Sequence, residues 1–193
     1  EKNWNIFSED RICVKQIRRQ SMCQNTPEQF TAQLREGQYN ELRVALYFML
    51  QGYHVKIGFK NQSYDISVLF PDTSAQSVEV KWDKTSAKTG NLFFEIENTR
   101  QQRPSGIEQT GADLWCHVIG DGRSAIIAPV TLIRNILNGG NYRVVSTRGA
   151  DSNSRGKLVP ISDMQNRQGI DLIELPTVED FFGMLFRKAN SAA

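Results

Sequence analysis

Asp65, Glu79 and Lys81 are the residues of this 193-residue sequence whose types and spacing are best suited to chemistry. Ser77-Val78-Glu79-Val80-Lys81-Trp82 alternates apolar and polar residues, as does Tyr64-Asp65-Ile66-Ser67-Val68-Leu69-Phe70 before it. That period of two, with branched residues dominant, predicts two β-strands. Pro71-Asp72-Thr73-Ser74 reads as the turn joining them. Successive strand side chains point to opposite faces, so Glu79 and Lys81 share one face while Val78, Val80 and Trp82 take the other. A hairpin of these strands can bring Asp65 beside Glu79, with the Lys81 ammonium next in line. Two carboxylates and a lysine inside apolar strands are costly unless something pairs them. A divalent metal together with the lysine would do so; a ladder of solvated charges on a half-exposed sheet is the competing reading.

The elements that must position this group flank it. Thr26-Pro27-Glu28-Gln29 has the form of a helix start, with Thr26 as N-cap, Pro27 at the first helical position and Gln29 completing a capping box. That helix is expected to end near Gly37, and a second to run from Gln38 to Leu50, closed by Gly52. Its apolar run from Leu42 to Leu50 implies burial against a sheet. Glu41 shares the stripe of Val44, Ala45 and Phe48, either as a functional carboxylate or as a favourable charge near the helix N-terminus. Tyr53 to Phe59 alternates as a strand leading into the Asp65 strand. After Lys81 comes a polar loop with Lys84 and Lys88, and then a strand from Leu92 to Glu97. Here Phe93, Glu95 and Glu97 share a face, and Glu95 can extend the acidic group. Ser105-Gly106-Ile107-Glu108 fits a capping box for a short helix through Ala112, whose amides can alternatively receive a phosphate beside Arg103. Gln109 on that helix can steer substrate. Leu114–Ile119 and Ser124–Ala128 read as further strands, and Pro129 to Leu137 as a helix stopped by Gly139-Gly140. From Asn141 to Lys157 the sequence is polar and locally basic, a loop by composition. Residues 161–173 read as connection, and Thr177 caps a last amphipathic helix with Val178, Phe181, Phe182, Leu185 and Phe186 inward.

Composition narrows the classes. The length suits one domain over 1–193, with a core at about 38–138, an N-terminal extension over 1–37 and a C-terminal extension over 139–193. Net charge of +2 neither demands nor excludes nucleic acid, because a local basic cleft can sit on a nearly neutral protein. No run is long enough to span a membrane, and no signal-peptide pattern opens the sequence given. Cys13, Cys23 and Cys116 form an odd set without CxxC spacing, the usage of a reduced cytoplasmic protein. His54 and His117 are too few, and too far from any cysteine pair, to make a zinc site. Trp82 is read as core, and no catalytic triad, P-loop or dinucleotide fingerprint is present.

Asp65, the Glu79-Val80-Lys81 triplet and Glu41 upstream on a helix resemble the PD-(D/E)xK nuclease superfamily, with its restriction-endonuclease-like fold, over roughly residues 38–119. The run from Gly90 to Ile96 and Pro104-Ser105-Gly106-Ile107 is similar to phage and bacterial members. Tyr64 stands where the proline of the motif's name would be. The resemblance implies an α/β core with a mixed sheet of about five strands flanked by helices. It also implies Mg2+-dependent hydrolysis of DNA phosphodiesters, with Mn2+ able to substitute. Mg2+ takes carboxylate oxygens at about 2.0–2.1 Å and keeps several waters. Asp65 and Glu79 would be its ligands, with the Val80 carbonyl as a third oxygen. Lys81 would orient the attacking water or stabilise developing charge, and Glu41 would hold an outer-shell water or a second metal. Arg103, Ser105, Gly106, Gln109, Lys84 and Lys88 are the candidate substrate contacts, and duplex cutting would use a homodimer. A nuclease-fold protein that binds DNA without cutting it, or a nuclease acting on RNA, are the alternative readings.

Overall fold

Apolar residues at three- and four-residue spacing between Leu42 and Leu50 need one face to bury, and they set the first element. The computed structural model describes residues 27–58, 64–147 and 153–183. Within them, α1 (Pro27–Leu50) is one continuous helix and not two. Gly37 does not break it: its Cβ position meets open space, and a mid-helix glycine costs only about 1 kcal/mol relative to alanine. Thr26, Cys13, Cys23, Leu185 and Phe186 lie outside the described residues.

Three strands follow as an antiparallel meander: β1 (His54–Ile57), β2 (Ile66–Leu69) and β3 (Ala75–Asp83). The turn between β2 and β3 is closed by Asp72, whose carboxylate accepts from the Ser74 amide and hydroxyl. The residues between β3 and the next strand of the same sheet hold a one-turn helix α2 (Ser86–Thr89), β4 (Asn91–Asn98), β5 (Arg103–Pro104) and a 3-10 turn at Gly106–Glu108. Then come β6 (Leu114–Ile119), β7 (Ser124–Pro129), α3 (Val130–Gly139), β8 (Arg143–Ser146), β9 (Ser154–Pro160), α4 (Ile161–Gln165) and β10 (Asp171–Glu174). A short last helix occupies 178–183.

The main sheet has six strands in the order β1-β2-β3-β6-β7-β10, with β3 and β6 its parallel pair. The α/β class expected from the sequence stands, with one strand more and a second, antiparallel sheet ordered β5-β4-β9-β8. So β4, expected in the main sheet, instead pairs with β9. The polar stretch expected to be a loop supplies β8 and β9, and the expected connection over 161–173 supplies α4 and an edge strand. Ser105 caps no helix, because its hydroxyl is committed to Glu95. Phe181 is buried as expected, whereas Phe182 points to solvent. Thr177 does cap, its Oγ1 accepting from the Asp180 amide at 3.0 Å.

One sheet face packs Ile66, Val68, Val78, Val80, Cys116 and Val118 against Val44, Ala45 and Phe48 of α1. The other packs Trp115, Ile126 and Ala128 against Leu92 and Phe94 of the second sheet and Ile133 and Leu137 of α3. Covered on both faces, β6 is buried almost throughout. Among the described residues no helix is long and apolar enough to cross a membrane.

Candidate active site

β3 outruns its neighbour. β2 pairs only with Ala75 to Val78, so among the described residues no strand pairs with β3 on that side from Glu79 onward. A buried amide still needs an acceptor, and Asp65, just ahead of β2, supplies it: its Oδ2 accepts from the Val80 amide at 2.8 Å. The Asp65 backbone is held as well, its amide donating to Val78 O at 3.0 Å and its carbonyl accepting from Gly58 at 2.7 Å. In a strand the N–H and C=O of one residue point the same way, so the Val80 carbonyl faces this same edge.

A parallel pair cannot be closed by a tight turn. The long connection from β3 to β6 carries Glu95, Gly106 and Gln109 over the exposed half of β3. Asp65, Glu79, Lys81, Glu95, Gly106 and Gln109 thereby line one cavity of about 370 Å³. Glu79 is largely buried while Lys81 stays 46% exposed; the Glu79 Oε1 accepts from Lys81 Nζ at 2.5 Å. Ser105 Oγ donates to Glu95 Oε1 at 2.6 Å. Gly106 has φ +54°, and a Cβ there would lie 2.5 Å from the Glu95 carbonyl oxygen, so this close approach admits only glycine. Arg134 pins the loop bearing Gln109, donating to Ile107 O at 2.9 Å and Thr110 O at 2.8 Å.

Four carboxylates against one ammonium set the electrostatics. Burial raises the Glu41 carboxyl above its ordinary range, and Asp65 and then Glu79 push it further against the opposing pull of Lys81. Burial pulls the Lys81 ammonium down, but Glu79, which also bonds it, with Asp65 and Glu95, outweighs this and raises it. Burial is thus the first cause at Glu41, whereas at Lys81 the neighbouring carboxylates prevail over it.

Of the remaining candidates, Arg103 lines a separate surface cleft with Glu97 and Lys157. Lys84 pairs with Glu36, and its ammonium lies 4.4 Å over the Trp82 ring. Lys88 is exposed on α2 and lines neither cavity beside β3. Trp82 is half-buried, its indole donating to Gly120 O at 2.9 Å.

Among the described residues no three His, Cys, Asp or Glu side chains gather as a metal cage. The donor chemistry of Asp65 and Glu79 nevertheless fits Mg2+, which binds through one or two carboxylates and completes its shell with water and substrate phosphate. Among the described residues, the hydrogen bonds to these two carboxylates engage Oδ2 of Asp65 and Oε1 of Glu79.

His117, beside Lys81 across the β3–β6 pairing, is a buried residue whose role the sequence did not disclose. Its Nδ1 accepts from the Trp115 indole at 3.3 Å, and among the described residues its Nε2 has no partner. Burial pushes the imidazole down to about 4, Asp83 opposing and Lys81 assisting. The unfolded chain takes this proton near 6.5 while the fold refuses it to about 4. The associated stability is therefore present above 6.5 and lost as pH falls through 4, on the order of 3 kcal/mol once protonation is complete. Urea midpoints are expected to fall less between about pH 7 and pH 4 in His117→Gln, which keeps an acceptor for Trp115, than in the parent. Parallel losses in the two proteins would refute this assignment.

No family model matches the sequence, and no curated protein is significantly similar to it. Among solved structures, the chain is similar to a bacterial homing endonuclease, I-Ssp6803I, at 16% identity and a TM-score of 0.43. The match covers 80% of this chain and 93% of that one.

Proposed function

We propose that this chain is a Mg2+-dependent endonuclease of the PD-(D/E)xK type that hydrolyses phosphodiester bonds in DNA. The observation that carries the reading is the shared cavity of Asp65, Glu79, Lys81 and Glu95, where the neighbouring carboxylates raise the Lys81 ammonium. When bound, Mg2+ supplies Lewis-acid polarisation and a bound water of lowered pKa.

The chain's own residues supply the rest. Asp65 and Glu79, with the Val80 carbonyl, hold the cation, and the Val80 amide keeps the Asp65 carboxylate from rotating away. Lys81 stays protonated at neutral pH, so Nζ is a permanent donor for the attacking water or for charge developing on the phosphoryl oxygens. Glu41, half-buried on α1, would hold an outer-shell water or a second metal. Gln109 and Gly106 shape the substrate side of the cavity, and a homodimer would cut both strands of a duplex.

The test is a substrate panel of supercoiled, linear, branched and single-stranded DNA, with matched RNA, in Mg2+, Mn2+ or EDTA. Metal-dependent cutting of DNA is expected. Salt-sensitive binding without cutting in either metal would instead identify a DNA-binding protein on this fold, and preferential cutting of RNA would change the polymer.

A further inference from the structure

A second cavity, of about 400 Å³, adjoins the first and shares Lys81, Glu95 and Gly106 with it. Its character is different. Phe93, Trp82, Trp115, Val145 and Leu158 give it apolar and aromatic walls. Phe93 of β4 stands opposite Leu158 of β9 and lies over Gly156, where a Cβ would come within 2.5 Å of its ring. Two acids line it, Glu95, which it shares with the first cavity, and Asp83, which is already occupied. Asp83 Oδ1 accepts from the Thr85 amide and hydroxyl, and Oδ2 from the Phe93 amide. Thr85 and Thr147, their hydroxyls bonded to Asp83 and Ser154, also line it, and Lys84, paired with Glu36, stands over Trp82.

A duplex buries its bases in the stack and would leave such a cleft unfilled, whereas an unpaired base has two free π-faces. We propose that this cleft receives the unstacked base next to the phosphate bound in the first cavity. The preferred substrate is then DNA with an unpaired nucleotide at the cut, and not a continuous duplex. The inference rests on the phosphodiester reading above, through Lys81 and Glu95, which border both cavities. The phosphate end is acidic and cation-binding, the base end apolar and aromatic, and the shared residues set them side by side.

The test uses the full chain and oligonucleotides of one sequence, single-stranded, flapped or fully paired, carrying 2-aminopurine at the unpaired position. Binding is read in EDTA and cutting in Mg2+. Single-stranded and flapped DNA are expected to bind at least about tenfold tighter than duplex, with the fluorophore quenched on binding. Phe93→Leu, which keeps apolar bulk but removes the π-face, is expected to lose about tenfold of that affinity and most of the quench. Its melting temperature and duplex binding should stay near those of the parent. Val145→Phe, which narrows the cleft without touching the acids, should have the same selective effect. Equal binding of all three DNAs, or a quench indifferent to both variants, overturns the inference even if DNA is cut. Selective, Phe93-dependent binding with no cutting in any metal upholds it while refuting the hydrolytic reading.

Discussion

Asp65→Asn is expected to lower DNA cleavage by about 10²–10³-fold, the scale set by losing one preorganised electrostatic group at a reacting phosphate. The substitution separates charge from structure. An asparagine oxygen can still accept from the Val80 amide, so the end of β3 keeps its partner and the melting temperature should hold. Asp65→Ala removes both and should lose stability as well as activity. Lys81→Met keeps the stem and deletes the ammonium, with a comparable loss of cutting and Glu79 left unpaired. The two variants make opposite predictions at Glu41. Asp65 is the charge that most raises its carboxyl, so Asp65→Asn should let it fall toward the ordinary range. Lys81 is what holds it down, so Lys81→Met should raise it further. Carboxyl titration by NMR reads both shifts without metal or substrate. Full cleavage by both variants would remove Asp65 and Lys81 from the chemistry. Unmoved Glu41 titrations would show that the three groups do not share a field.

Period-two alternation made the hairpin carrying this group legible, because it sets Val78 and Val80 on the face opposite Glu79 and Lys81. The face of each side chain followed from the residues; the partner of each strand did not. Leu92 to Glu97 reads as a strand whichever sheet receives it, and only Val159 and Leu158, some sixty residues on, draw it into the second sheet. β8 and β9 were hidden for a related reason. Arg143 and Arg155 are exposed, β8 being the edge strand of the second sheet, and such exposed polar residues look like loop. The capping-box motif at Ser105 misled because a hydroxyl takes whichever acceptor the fold brings nearest, here Glu95 from another strand. Glu95 itself was visible by its alternation with Phe93. That it overhangs β3 depends on the crossover's path, which no local pattern encodes. Arg43 gave no signal at all, standing in the apolar run of α1 as a lone charge.

Arg43→Met is expected to destabilise the fold by about 3 kcal/mol and to lower the melting temperature by about 6–12 °C. The Arg43 guanidinium is only 5% exposed. Its Nε donates to Pro176 O at 2.8 Å and its Nη2 to Leu175 O at 2.9 Å, with Nη1 3.4 Å from Asn40 Oδ1. Among the described residues no carboxylate forms an ion pair with it. Carbonyl dipoles, with the Tyr39 ring 5.7 Å from the guanidinium carbon, therefore hold a buried permanent charge, and removing it leaves two buried carbonyls unsatisfied, each costing about 1–3 kcal/mol. Arg43→Lys should do little better, since a single ammonium cannot reproduce the planar fork that spans consecutive carbonyls. Gly122 shows how tightly the group is enclosed: a Cβ there would sit 2.8 Å from Nη1. This bond set fastens α1 to the chain leaving β10, and Glu41 stands two residues away on the same helix. Cleavage should therefore decline in Arg43→Met together with stability, whereas Asp65→Asn loses cleavage with stability intact. Faster amide exchange confined to α1 and the β10 edge would locate the damage. Exchange unchanged there, with a parental melting temperature, would show that the arginine fastens nothing.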